Sequence, residues 1–86
     1  MQCFVYKSDR KADTYVYLRG RDDFDVLPDT LREKLGTLLF AMQFELTPER
    51  KLARGDAANV IDNLNSRGFH LQLPPPLEPA LAGDQS

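Results

Sequence analysis

Arg67-Gly68-Phe69-His70-Leu71-Gln72-Leu73-Pro74-Pro75-Pro76 closes the folded part of this 86-residue chain. Gly68 stops a helix. Phe69, Leu71 and Leu73 then alternate with His70 and Gln72 as a short strand, and the prolines end that strand because they cannot donate to a ladder. The helix opens at Asp56, a good N-cap, and carries Ala57, Val60, Ile61 and Leu64 at i, i+3, i+4 and i+7, which is one helical face. Beyond Glu78 the chain is Pro, Ala, Gly and polar residues. This reads as a domain over 1–76 followed by a flexible C-terminal tail over 77–86.

Working back toward the N-terminus, residues 2–7 and 14–19 are β-branched and aromatic and read as strands. The polar stretch Ser8 to Asp13 between them suits a hairpin loop. A register pairing Tyr6 with Tyr15 and Phe4 with Tyr17 makes one face aromatic and leaves Cys3, Val5, Val16 and Leu18 on the other. Both faces are then apolar, so the sheet is expected to be covered, at least in part, on both sides. Gly20 to Asp25 is an acidic loop.

Pro28 suits a helix start, Asp29 and Glu33 favour the positive end of its dipole, and Leu31 and Leu35 recur at i, i+4 before Gly36. The spacing predicts a short helix over roughly 28–35, dependent on tertiary contacts. In 37–46, Leu38, Phe40, Met42, Phe44 and Leu46 alternate with Gln43 and Glu45 opposite, which predicts a strand; helix is the rival reading. Pro48 to Arg54 is a basic connector. The predicted order is β-β-α-β-α-β, a single small α+β domain with two helices against a mixed or antiparallel sheet.

Composition narrows the function. Apolar residues are 42% and charged residues 28%, with a net charge of −2 that selects no partner by sign. A domain this short buries about 60–65% of its chain surface, which favours a shallow groove or surface patch over a deep closed active site. Cys3 is the single cysteine and lies in an apolar strand with no Lys or His beside it, so it reads as a buried inert thiol in a reducing, cytoplasmic setting. No apolar run reaches bilayer length, and no basic-then-hydrophobic leader opens the chain.

Three pieces in order resemble the YcgL family of small bacterial proteins. They are Cys3-Phe4-Val5-Tyr6-Lys7-Ser8 with the strand Asp13 to Leu18; Asp23-Phe24 with Val26-Leu27-Pro28 and the helix to Gly36; and Lys51-Leu52-Ala53 leading to the Asp56 helix and Gly68 to Pro76. The resemblance covers 2–76. It implies a compact three-layer α/β/α sandwich. It brings no activity and no catalytic residues to carry over.

The residues themselves offer no catalytic motif. His70 stands alone beside Gln72, and one histidine without a nearby cysteine cannot build a zinc site, so it reads as a hydrogen-bonded structural residue rather than a base. Asp22, Asp23 and Asp25 lack the spacing and turn glycine of a calcium loop and read as solvated. The glycines are isolated, and the serines form no nucleophile signature. No metal or cofactor is expected.

One feature reads as ligand-binding. Phe4, Tyr6, Tyr15 and Tyr17 on one hairpin face, with Lys7, Arg10, Lys11, Arg19 and Arg21 against Asp9 and Asp13, make a surface able to stack unpaired bases. The bland reading is that a helix covers them and the hydroxyls bond at its margin. Pro74 to Pro76 reads either as a ligand for an aromatic groove or as a terminator that packs back on the domain. The leading expectation is a non-enzymatic protein-interaction or adaptor module. The second is a single-stranded RNA accessory protein using Tyr6, Tyr15, Tyr17, Arg19 and Arg21. The last is a small enzyme using His70 or the Asp22–Asp25 loop.

Overall fold

A computed structural model describes residues 1–52 and 56–73. The tail over 77–86 and the Pro74–Pro76 run lie outside the described residues. The elements are β1 (Gln2–Ser8), β2 (Tyr15–Leu18), a 3-10 turn (Phe24–Val26), α1 (Asp29–Leu35), β3 (Leu38–Glu45), α2 (Ala57–Ser66) and β4 (Phe69–Gln72). The four strands form one antiparallel sheet in the order β3-β1-β2-β4. Residues 38–45 are a strand, so period 2 prevailed over the helix propensity of Leu, Met and Ala.

The hairpin register differs from expectation by one residue. Phe4 pairs with Leu18, Val5 with Tyr17, Tyr6 with Val16, and Lys7 with Tyr15. A one-residue slip turns every side chain of one strand to the other face. The four aromatics therefore do not share a face. Phe4 and Tyr6 join Val16 and Leu18 beneath Leu27, Leu31 and Leu35 of the α1 region. Tyr17 joins Cys3 and Val5 beneath Ala57, Val60 and Leu64 of α2, and Tyr15 packs half-buried at the margin of the same cluster. Both faces of the sheet are apolar and both meet a helix, because either register leaves apolar residues on each side.

The reason for the register lies outside the hairpin. β1 runs through Ser8, whose buried hydroxyl donates to the Leu35 carbonyl at 2.6 Å and accepts from the backbone N–H of Lys11 at 3.0 Å. The Arg10 N–H also donates to the Leu35 carbonyl, and its guanidinium donates to the Glu33 carbonyl at 3.2 Å. The loop thus satisfies orphan carbonyls at the end of α1. Gly36 has φ +72, and a Cβ there would lie 2.5 Å from Cγ of Arg10, so glycine is required twice over.

A second irregularity divides β3. Tyr6 faces Phe40 while Val5 faces Met42, so Ala41 is an extra residue without a cross-strand partner on β1, a β-bulge. Leu38 and Phe40 consequently lie on the α1 face with Tyr6. Met42 and Phe44 lie on the α2 face with Val5 and Cys3. The apolar stripe that alternates evenly in the sequence serves opposite sides of the sheet.

Helix α2 matches its pattern. Asp56 accepts from the Ala58 N–H at 3.2 Å, and Ala57, Val60 and Leu64 are buried. At the far end of β3, the Met1 amine and the Gln2 amide both donate to the Glu45 carboxylate at 2.6 Å. These bonds, that from the amine first, hold the carboxyl below its usual range.

Candidate functional site

On the α1 face, Tyr6 is a buried anchor. It is 1% exposed, and its hydroxyl donates to Asp22 Oδ1 at 3.0 Å and accepts from the Asp22 N–H at 2.7 Å. Asp22 has φ +60, a geometry that lets its backbone and carboxylate reach the same oxygen. Phe24 and Phe40 meet the Tyr6 ring edge-on at 4.9 and 5.6 Å. Burial, then the Asp22 carboxylate, pushes the phenol up, with an opposing bond from the Asp22 N–H. Arg21 lays its guanidinium 4.3 Å from the centre of the Phe40 ring. Arg19 is exposed just past β2. Asp25 is also exposed, 4.0 Å from Arg32.

The α2 face is finished differently. The helix covers Cys3, Val5 and Tyr17 but stops short of the hairpin end. There an open groove of about 320 Å³ is lined by Val5, Asp13, Tyr15, Tyr17, Ala41, Met42 and Gln72. The pairing arranges this face in two rows. One runs Gln72, Tyr15, Lys7, Leu39 across all four strands; the next runs His70, Tyr17, Val5, Met42. Tyr17 closes the floor, donating its hydroxyl to Gln72 Oε1 at 2.7 Å and meeting Phe44 and His70 edge-on. Tyr15 is half-buried, and Leu39 and Met42 are each 53% exposed.

The five candidate binding residues are thus separated. Tyr15 and Tyr17 share the groove; Tyr6 and Arg21 flank Phe40 on the opposite side; Arg19 joins neither. Val5, Ala41, Met42 and Gln72 line the groove without having been expected there, while Asp13 is one of the charges the sequence places beside Tyr15 and Tyr17. Met42 had no sequence signal, since a bulge at a small residue between apolar neighbours leaves period 2 unbroken. Gln72 could have been placed by its alternation with Leu71 and Leu73.

The titratable groups are in structural positions. The buried Cys3 thiol is pushed up to about 11 by burial, with the amino terminus opposing. His70 is half-buried with Nδ1 2.9 Å from Asn63 Nδ2, and burial, then Arg67, lowers its pKa. Among the described residues, no three His, Cys, Asp or Glu side chains are grouped to hold a metal ion. No helix among them is long and apolar enough to cross a membrane.

The strand β3 is an edge, and between Leu38 and Glu45 it carries a single charge, Glu45, and no proline. Leu39, Phe40 and Met42 are 53%, 43% and 53% exposed along it. Edge strands are usually protected by lysine, proline or a bulge. Here only the bulge is present, with Arg21 and Arg50 partly covering Phe40 and Phe44.

Comparison with known proteins agrees with the resemblance seen in the sequence. The YcgL domain model matches residues 3–75. A YcgL domain-containing protein of Thioalkalivibrio sulfidiphilus is 56% identical over 75 residues, covering 87% of this chain and 93% of that protein. One of Xanthomonas euvesicatoria pv. vesicatoria is 50% identical over 84 residues, covering 98% and 95%. These names state a domain and no activity. With a family model matching most of the chain and relatives this similar along it, the chain belongs to the YcgL family.

Proposed function

We propose that this chain is a non-enzymatic protein-interaction module of the cytoplasm that binds its partner along β3. The observation that carries the reading is the edge itself: an eight-residue strand with large exposed apolar side chains and almost no charge. Such an edge suits a partner that lays down an extended segment as a fifth strand, with backbone bonds supplying affinity and alternate apolar side chains supplying selectivity. The single buried cysteine fits a reducing compartment. The RNA reading is weaker, because its stacking platform needed four aromatics on one face and the register divides them.

The test places a photoreactive benzoylphenylalanine at Phe40, where an aromatic ring is already accommodated, and at exposed Glu33 and Asn59 as controls. The expected result is a nuclease-resistant adduct at 40 alone, with the trapped peptide of the partner carrying apolar residues at alternate positions. Equal adducts at all three positions would overturn the reading. Nuclease-sensitive adducts would return the assignment to RNA.

A further inference from the structure

The faces of β3 read the same from either end. Leu38, Phe40, Gln43 and Glu45 lie on the α1 face: Phe40 packs beside Tyr6, Gln43 stands opposite Phe4, and Glu45 bonds the Gln2 amide. Leu39, Ala41, Met42 and Phe44 lie on the α2 face, over Lys7, Val5 and Cys3. The bulge causes this, because it turns the second half of the strand by one residue against the first. An antiparallel copy related by a two-fold axis perpendicular to the sheet keeps each face on its own side. With the axis between Ala41 and Met42, all eight residues of the strand meet residues of the same face. Leu38 falls opposite Glu45, Leu39 opposite Phe44, Phe40 opposite Gln43, and Ala41 opposite Met42. An evenly alternating strand would put Phe40 and Gln43 on opposite faces, so the bulge selects this register.

The side chains suit the same axis. On the α2 face, exposed Leu39 meets Phe44 of the second copy, and exposed Met42 meets the small Ala41 beside the axis. On the α1 face, the Arg21 guanidinium lies on the Phe40 ring, which sets it at the seam beside Gln43 and Glu45 of the second copy. Arg21 makes no ion pair among the described residues. The opposite charges therefore meet across the seam, and the symmetry makes that contact twice.

We propose that β3 pairs with β3 of a second copy of this chain about an axis between Ala41 and Met42, joining the two sheets edge to edge. The proposal rests on the β3 reading and names its partner: the added strand is the chain's own. The edge left bare in a single chain is then covered. A seam of one strand is small for a protein interface, so dimer and single chain exchange as concentration changes.

Sedimentation of the purified full chain tests this. Its mass should rise from one chain to two across the micromolar range. Arg21→Glu and Glu45→Arg each set like charges against one another at both contacts, and each should raise the dissociation constant about tenfold. Mixed in equal parts, the two variants should recover the dimer, since opposite charges then meet at both contacts; that recovery also separates lost pairing from lost folding. Benzoylphenylalanine at Phe40 in the pure chain should join to the peptide of a second copy that contains Gln43. A one-chain mass throughout the micromolar range would overturn the proposal, and so would a dimer indifferent to both reversals and to their mixture. A single chain whose residue-40 probe traps a different protein would remove the second copy and leave the β3 reading standing. Equal adducts at residue 40 and at the control positions would remove both.

Discussion

Tyr6 and Tyr17 stand on opposite faces of the same hairpin, and their hydroxyls are held in different ways. Tyr6 is gripped by one loop residue, Asp22, through both backbone and carboxylate, among Phe24, Phe40 and the leucines around α1. Tyr17 reaches a side chain on the edge strand β4, at the floor of a groove that α2 leaves uncovered. The α1 face is closed around Tyr6, with Phe40 exposed only at the β3 edge. The α2 face is core under the helix and an open groove beyond it. Aromatic content alone does not separate these roles; the register and the reach of the covering helix do.

The largest effect that separates the faces is truncation. Tyr6→Ala should cost about 3–5 kcal/mol, a large part of the stability of so small a domain, whereas Tyr15→Ala should cost about 1 kcal/mol. Urea unfolding of the two variants checks this, and equal losses would erase the distinction. Next in size is removal of a single hydroxyl. Tyr6→Phe leaves the Asp22 N–H without its acceptor and should cost about 1–2 kcal/mol. Tyr17→Phe should cost less, because Gln72 at the groove can turn to water.

Deleting Ala41 should cost under about 1 kcal/mol. It removes the extra residue and leaves Phe40 opposite Tyr6 and Met42 opposite Val5 in a regular ladder. If Leu38, Phe40, Met42 and Phe44 shared one face, the same deletion would turn half the strand over and unfold the protein. Thermal melts of the deletion variant decide between these.

The smallest effect belongs to His70. Its folded pKa is lowered, mainly by burial, so the neutral ring is favoured in the native state. Its contribution should be complete above the unfolded value of about 6.5 and decline as pH falls through the lowered folded pKa. A ring titration by NMR should place its midpoint below that of an unfolded peptide; a midpoint above it would reverse the sign.

Much of the architecture was legible in the sequence. Helix α2 announced its cap, face and stop, and the alternation at Leu38 to Leu46 and at Phe69 to Gln72 marked two strands. The two-sided sheet followed from apolar residues on both sides of the hairpin, a conclusion indifferent to register. The register itself was not legible. It depends on Ser8 and Arg10 binding the far end of α1, contacts that span 27 and 23 residues and leave no local pattern. The bulge at Ala41 was hidden for the opposite reason, since the local pattern was too regular to suggest it. The candidate site suffered from both. Tyr15 and Tyr17 share the groove, but the sequence pattern groups them with Tyr6, Arg19 and Arg21, and the even alternation gives no sign that Met42 parts from Phe40.

The division of the aromatics between the two faces is tested most directly by ring-to-ring contacts in the NMR spectrum of the full chain. Tyr6 should show cross-peaks to the rings of Phe24 and Phe40, and Tyr17 to those of Phe44 and His70. Cross-peaks from Tyr6 to Tyr15 or Tyr17 would place all the tyrosines on one face and contradict the account.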